Sequence, residues 1–134
     1  MIKQFEDVRK WGKIRGIESS KPEVQLYRML EEVSEIAKAL AENDDYEFQD
    51  AIGDTIVTLI MLAGTKDYDA EDSLEQAFSV IKLRKGLNKN GSFVRYMKLS
   101  EKEKLICDEK QGNPGSEYFL PEDIDKLKPI NFIP

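Results

Sequence analysis

Five carboxylates frame the chemistry open to this chain: Glu31, Glu32 and Glu35 in "EEVSE", and Asp50 and Asp54 in "DAIGD". On a helix, positions three or four apart share a face, so Glu32 neighbours Glu35 and Asp50 neighbours Asp54. Asp54 is the most demanding of them. Between residues 51 and 63 every other side chain is apolar, Gly or Thr, which predicts a buried helix. An ionised carboxylate inside such a helix is destabilising unless something pairs with it. Four acids converging from two helices would also repel, and would titrate upward if left bare. A hard divalent cation removes both conflicts, because Mg²⁺ takes oxygen ligands and keeps places for water and substrate phosphate. The sequence therefore predicts a metal ion as the partner of Asp54. Plainer readings compete. Glu-rich helix faces are usually solvated, and Asp50 suits a first helical turn for its dipole alone.

The elements that must position these acids are helices. Ile2, Phe5, Val8, Trp11 and Ile14 have helical spacing over residues 2–14, and Gly16 ends that segment. Ser20-Lys21-Pro22-Glu23 reads as a capping box for a second helix. In that helix Leu26, Leu30, Val33, Ala37 and Leu40 form the apolar stripe, with Glu32 at its flank beside Met29 and Ile36. Asn43-Asp44-Asp45 stops it and caps a third helix over 46–63. Gly53 inside the third helix predicts a close approach by another helix, since Gly is destabilising there by about 1 kcal/mol relative to Ala. Asp69 opens a fourth helix whose face is Leu74, Ala77, Phe78 and Ile81, running to Gly86. Short connections favour antiparallel neighbours, hence an all-α, antiparallel four-helix bundle. Asn90-Gly91 marks a small hairpin or ordered loop. After Tyr96 the texture changes. A capping box at Ser100 to Glu103 opens a short helix to Cys107, "QGNPGS" is a loop, 121–127 is one or two helical turns, and "KPINFIP" is extended. The expected division is a domain at 1–96 and an extension at 97–134 that packs on the bundle or on a neighbouring subunit.

Composition narrows the function. The chain has 134 residues, 40% hydrophobic and 34% charged, with a net charge of −6 that disfavours a nucleic-acid backbone as partner. With no histidine and one cysteine, it has no His-based zinc site, no Ser-His or Cys-His nucleophile and no intrachain disulfide. The N-terminal "MIKQFEDVRK" lacks the apolar stretch of a signal peptide, and no run is long enough to cross a bilayer; both predict a cytoplasmic protein without a membrane partner.

The two acidic motifs together resemble the signatures of the MazG-like all-α nucleoside triphosphate pyrophosphohydrolases, especially their short, single-domain phage-type members. The flanks are similar too: "WGKIRGI", "KPEVQLYRMLEE" and "IKLRKGLNKNGSFVR". The resemblance spans residues 5–95. It departs at Ala51, where the family commonly has Glu; Asp50, four positions before Asp54, faces the same side of a helix. The resemblance implies Mg²⁺, with Mn²⁺ as a substitute, held by Glu32, Glu35, Asp54 and Asp50. Glu31 would orient water and Glu35 accept its proton. The implied reaction is hydrolysis of a nucleoside triphosphate to the monophosphate and pyrophosphate by a homodimer or homotetramer. Lys82, Arg84 and Lys85, late on the fourth helix, are the phosphate candidates, although cations suit a helix C-terminus anyway. Trp11 and Arg15 would line a base pocket, unless Trp11 is simply core. A different class of reading is a non-catalytic nucleotide-binding regulator. A di-iron bundle is disfavoured, because it normally uses Glu-x-x-His pairs.

Overall fold

A computed structural model describes residues 2–126. Its α-helices are α1 (Ile2–Ile14), α2 (Pro22–Ala41), α3 (Asp45–Gly64), α4 (Ala70–Ile81) and α5 (Glu101–Gln111). Strands β1 (Gly86–Lys89) and β2 (Ser92–Arg95) pair antiparallel between α4 and α5. The expected all-α four-helix bundle is therefore corrected: the described residues form five α-helices and a two-stranded sheet. The chain divides into two compact units between Glu75 and Gln76.

In the first unit α2 packs along α3, and α1 packs against α3. The α1 contact is close, because a Cβ on Gly12 would fall 2.4 Å from Met61 Sδ. Arg9 of α1 forms an ion pair with Glu71 at the start of α4. The Asp44 side chain caps α3 by accepting from the Glu47 amide at 3.1 Å. The capping box expected for α2 does not form. Lys21 is its N-cap without a side-chain bond, and Ser20 instead donates to the Ile17 carbonyl and accepts from Gln25.

The seam between α2 and α3 uses a different stripe from the one the apolar pattern suggests. On α2 the buried or half-buried positions are Gln25, Met29, Glu32, Ile36 and Ala39, while Leu26, Leu30, Val33 and Leu40 are exposed. On α3 the matching row is Ala51, Thr55 and Thr58. Two alanines and two threonines let the helices approach closely, and the larger apolar side chains lie one position round from the contact. Ile52, Ile56 and Leu59 are exposed for the same reason. Gly53 meets nothing within 4 Å, so no helix of this chain explains it.

In the second unit, α4 stops at Ile81 because the backbone beyond it turns to other partners. The Lys85 amide donates to the Glu117 carbonyl, the Phe119 amide to Leu83, and the Tyr96 amide to Lys85. Lys82, Arg84 and Lys85 therefore lie beyond the helix expected to carry them. Asn90 and Gly91, with φ of 54° and 82°, make the turn of the β1–β2 hairpin. The core joins Leu87, Val94 and Tyr96 to Leu99 and Cys107, so residues before and after the change of texture at Tyr96 share it. The Gln111 side chain lies along β1, donating to the Gly86 carbonyl at 2.7 Å and accepting its amide at 3.1 Å. The Ser100–Glu103 capping box forms, and α5 continues to Gln111. Residues 121–126 form a 3₁₀ helix. The expected extended segment "KPINFIP" lies outside the described residues.

This unit should be acid-sensitive. The Lys89 ammonium, then the Ser100 amide and hydroxyl, hold the Glu103 carboxyl at about 2, against an ordinary 4.5. Hydrogen bonding to Lys85 likewise lowers Asp108. Both carboxyls titrate lower folded than unfolded. Their stabilisation is complete above the unfolded value and fades as pH falls through the folded one. Amide resonances of residues 86–108 should lose dispersion between about pH 4.5 and 2, and Glu103→Gln should flatten that dependence. Unchanged dispersion down to pH 2 would contradict it.

Candidate functional site

The α2–α3 seam gathers the acids. Counting outward from the connection at 42–44, Glu32 is level with Asp54, and Glu35 with Asp50 and Ala51. Glu31, Glu35, Asp50 and Asp54 each stand one residue before a seam position: Glu32, Ile36, Ala51 and Thr55. In two antiparallel helices, positions offset from the seam in the same sense turn to the same side of the pair. One side of the hairpin therefore carries four acids, with Glu32 at the seam itself.

Electrostatics agree with this placement. Burial pushes the Glu32 carboxyl above its ordinary value, and the charge of Asp54 pushes it further. Glu35 and Glu31 add to the effect, and only Arg28 opposes it. Glu32 is half-buried, whereas Glu31, Glu35, Asp50 and Asp54 are exposed. This corrects the expectation for Asp54, which lies on an open side of α3 rather than inside a fully buried helix. The buried acid of the hairpin is Glu32, and its signal in the sequence was its place between Met29 and Ile36.

An all-oxygen, anionic donor set suits a hard cation. As the side chains stand, however, no three acidic or thiol groups among the described residues are close enough together to hold a metal ion. The acids fit Mg²⁺ in donor type and in their level on the two helices. Their side chains would have to turn to close on one ion.

The other predicted residues fall into three groups. Trp11 is exposed rather than core, with the Arg15 guanidinium 4.5 Å from its ring centroid and Arg15 Nη1 donating to the Trp11 carbonyl. Lys82 is exposed and Arg84 half-buried. Lys85 is fully buried in the second unit. Its Nζ donates to Asp108 Oδ1 at 2.7 Å and to the Asn113 carbonyl at 2.9 Å, and lies 4.7 Å from the Tyr96 ring centroid. Asp108 also accepts from the Tyr96 hydroxyl and the Gly115 amide. These contacts give Lys85 a structural task. The sequence reading missed this network, because its members are separated in the chain and carry no motif.

A cavity of ≈ 390 Å³ lies elsewhere in the first unit, between α1 and the C-terminal end of α3, and none of the five acids lines it. Arg9, Lys10 and Lys13 there face Glu6, Glu18 and two aspartates, so its lining favours neither sign of ligand. No helix among the described residues is long and apolar enough to cross a membrane.

No family model and no solved structure matches the chain. A curated relative, an uncharacterized 18.2 kDa protein from the rep-hol intergenic region of Haemophilus phage HP1, is 28% identical over 67 residues. That match covers 49% of this chain and 41% of the phage protein, so the chain spans about two fifths of the relative's length.

Proposed function

We propose that the protein hydrolyses nucleoside triphosphates, deoxynucleotides included, to the monophosphate and pyrophosphate, using Mg²⁺ held by Glu32, Glu35, Asp50 and Asp54. The observation that carries this reading is Glu32. A half-buried carboxyl at the seam, pushed upward by burial and by Asp54, sits where the fold gains nothing from its charge. Strongly perturbed acids of this kind mark functional sites more often than chance. Bound Mg²⁺ would supply charge neutralisation for the triphosphate and a lowered pKa for an attacking water. Glu35 is placed to accept that water's proton and Glu31 to orient it. The exposed Trp11 ring, already carrying a guanidinium on its face, suits stacking with a base. Lys82 and Arg84 are the remaining phosphate candidates, and Lys85 is not one. The role would be nucleotide-pool control or housecleaning in the cytoplasm, the host's if the chain is phage-encoded.

Purified protein with Mg²⁺ and each triphosphate in turn should release monophosphate and pyrophosphate, with kcat/KM ranking the bases. Absence of both products from every triphosphate would overturn the reading. A second reading, a nucleotide-binding regulator without turnover, is favoured by Ala51 and by the open spacing of the acids. Calorimetric binding of Mg²⁺-nucleotide without product would decide for it.

A further inference from the structure

We infer that the side of the α2–α3 hairpin opposite the acids is covered by the same side of a second copy of this chain. On α2, Leu26, Leu30 and Val33 each follow a seam position, as Ile52, Ile56 and Leu59 do on α3. By the same antiparallel geometry, all six turn to one side, away from Glu31, Glu35, Asp50 and Asp54. Each is between 39% and 52% exposed. No charged residue interrupts the six.

The inside of the unit shows why this side needs covering. Its buried apolar residues are Ala39, Ala51, Ile60 and Met61, and its seam includes Gln25, Glu32 and Thr58. The larger aliphatic side chains of the hairpin thus lie outside the contact that holds it together. A contiguous apolar face of this kind marks an interaction surface.

Self-complementarity selects the occupant. Leu30 and Ile56 are level with each other at the middle of the face. A two-fold axis through that point brings each stripe onto its counterpart and makes a four-helix contact from two hairpins. The acids oppose any alternative in which acidic sides meet, so the charge pattern fixes which faces join. Both acidic sides then remain open to solvent. The inference concerns assembly and is read without substrate, so its outcome is independent of the proposed hydrolysis.

Sedimentation equilibrium of the full chain should give twice the 15.4 kDa chain mass, or a dimer of such dimers. Leu30→Lys combined with Ile56→Lys should halve the dimer mass. Should that variant not fold, cysteine cross-linking gives the answer in an otherwise unchanged chain, since Cys107 is fully buried. Ile56→Cys should form a covalent dimer on mild oxidation, and Lys38→Cys, on the acidic side, should not. A monomer at all concentrations, as expected if α4 of the same chain or an unrelated protein covers the face, would overturn the inference. So would a dimer in which Ile56→Cys fails to cross-link.

Discussion

Glu32→Gln should lower triphosphate turnover on the order of 10²–10³-fold, the loss typical of removing one group that stabilises a transition state. The same substitution should make the first unit more stable in chelator. Glu32 titrates higher folded than its ordinary 4.5, because burial and Asp54 oppose its charge. Its ionisation therefore works against folding, and the effect grows as pH rises through the folded value and is complete at neutral pH. A neutral amide of the same shape removes it. Mg²⁺ should raise the melting temperature of the unmodified chain, because an ion that binds only the folded form stabilises it. The variant should respond far less. Trp11, the chain's one tryptophan, lies on α1 and reports melting of this unit by fluorescence. Turnover at the original rate, or an equal Mg²⁺ response in both proteins, would sink the assignment of Glu32.

The second large effect is expected at Asp108. Asp108→Ala strands the fully buried Lys85 ammonium with only the Asn113 carbonyl and the Tyr96 ring for company. Breaking one side of a buried ion pair typically costs about 3–5 kcal/mol. The low end, about 3 kcal/mol, applies here because the Asp108 side chain is 15% exposed and water can reach its place. In so small a unit that is a large share of the total stability. Replacing both partners, Lys85→Met with Asp108→Leu, should be much milder, since no charge is left uncompensated. Urea unfolding followed through amide resonances of residues 86–108 measures both. Equal stability of Asp108→Ala and the unmodified chain would refute the structural role given to Lys85.

Local signals in the sequence were read well. The limits of α1 and α3, the cap at Asp44, the Asn90-Gly91 turn and the Ser100–Glu103 box each depend on residues only a few positions apart. Non-local choices were not legible. Periodicity identified Leu26-Leu30-Val33 as the apolar stripe of α2, but periodicity cannot say whether such a stripe meets its own chain or another. The chain uses the neighbouring stripe, where small residues on α3 allow closer contact, and that moves Glu32 from flank to seam. The end of α4 was misplaced for a related reason. Lys85 leaves the helix for backbone partners near residues 96 and 117 and a side-chain partner at 108. The alignment of acids across two helices was legible, because a short connection fixes which residues are level. Their exposure was not, since it depends on what α1 leaves uncovered.

The Gln111 side chain beside Gly86 has a consequence for how these molecules meet in crowded solution. An unpaired strand edge is a template on which further chains can align and polymerise. Along β1 that template is withheld: Gly86 is satisfied by a side-chain amide, and the backbone just before it is bonded to residues 117 and 119. A stray extended peptide finds no donor or acceptor free at those positions, so fibril-like growth from that border is blocked.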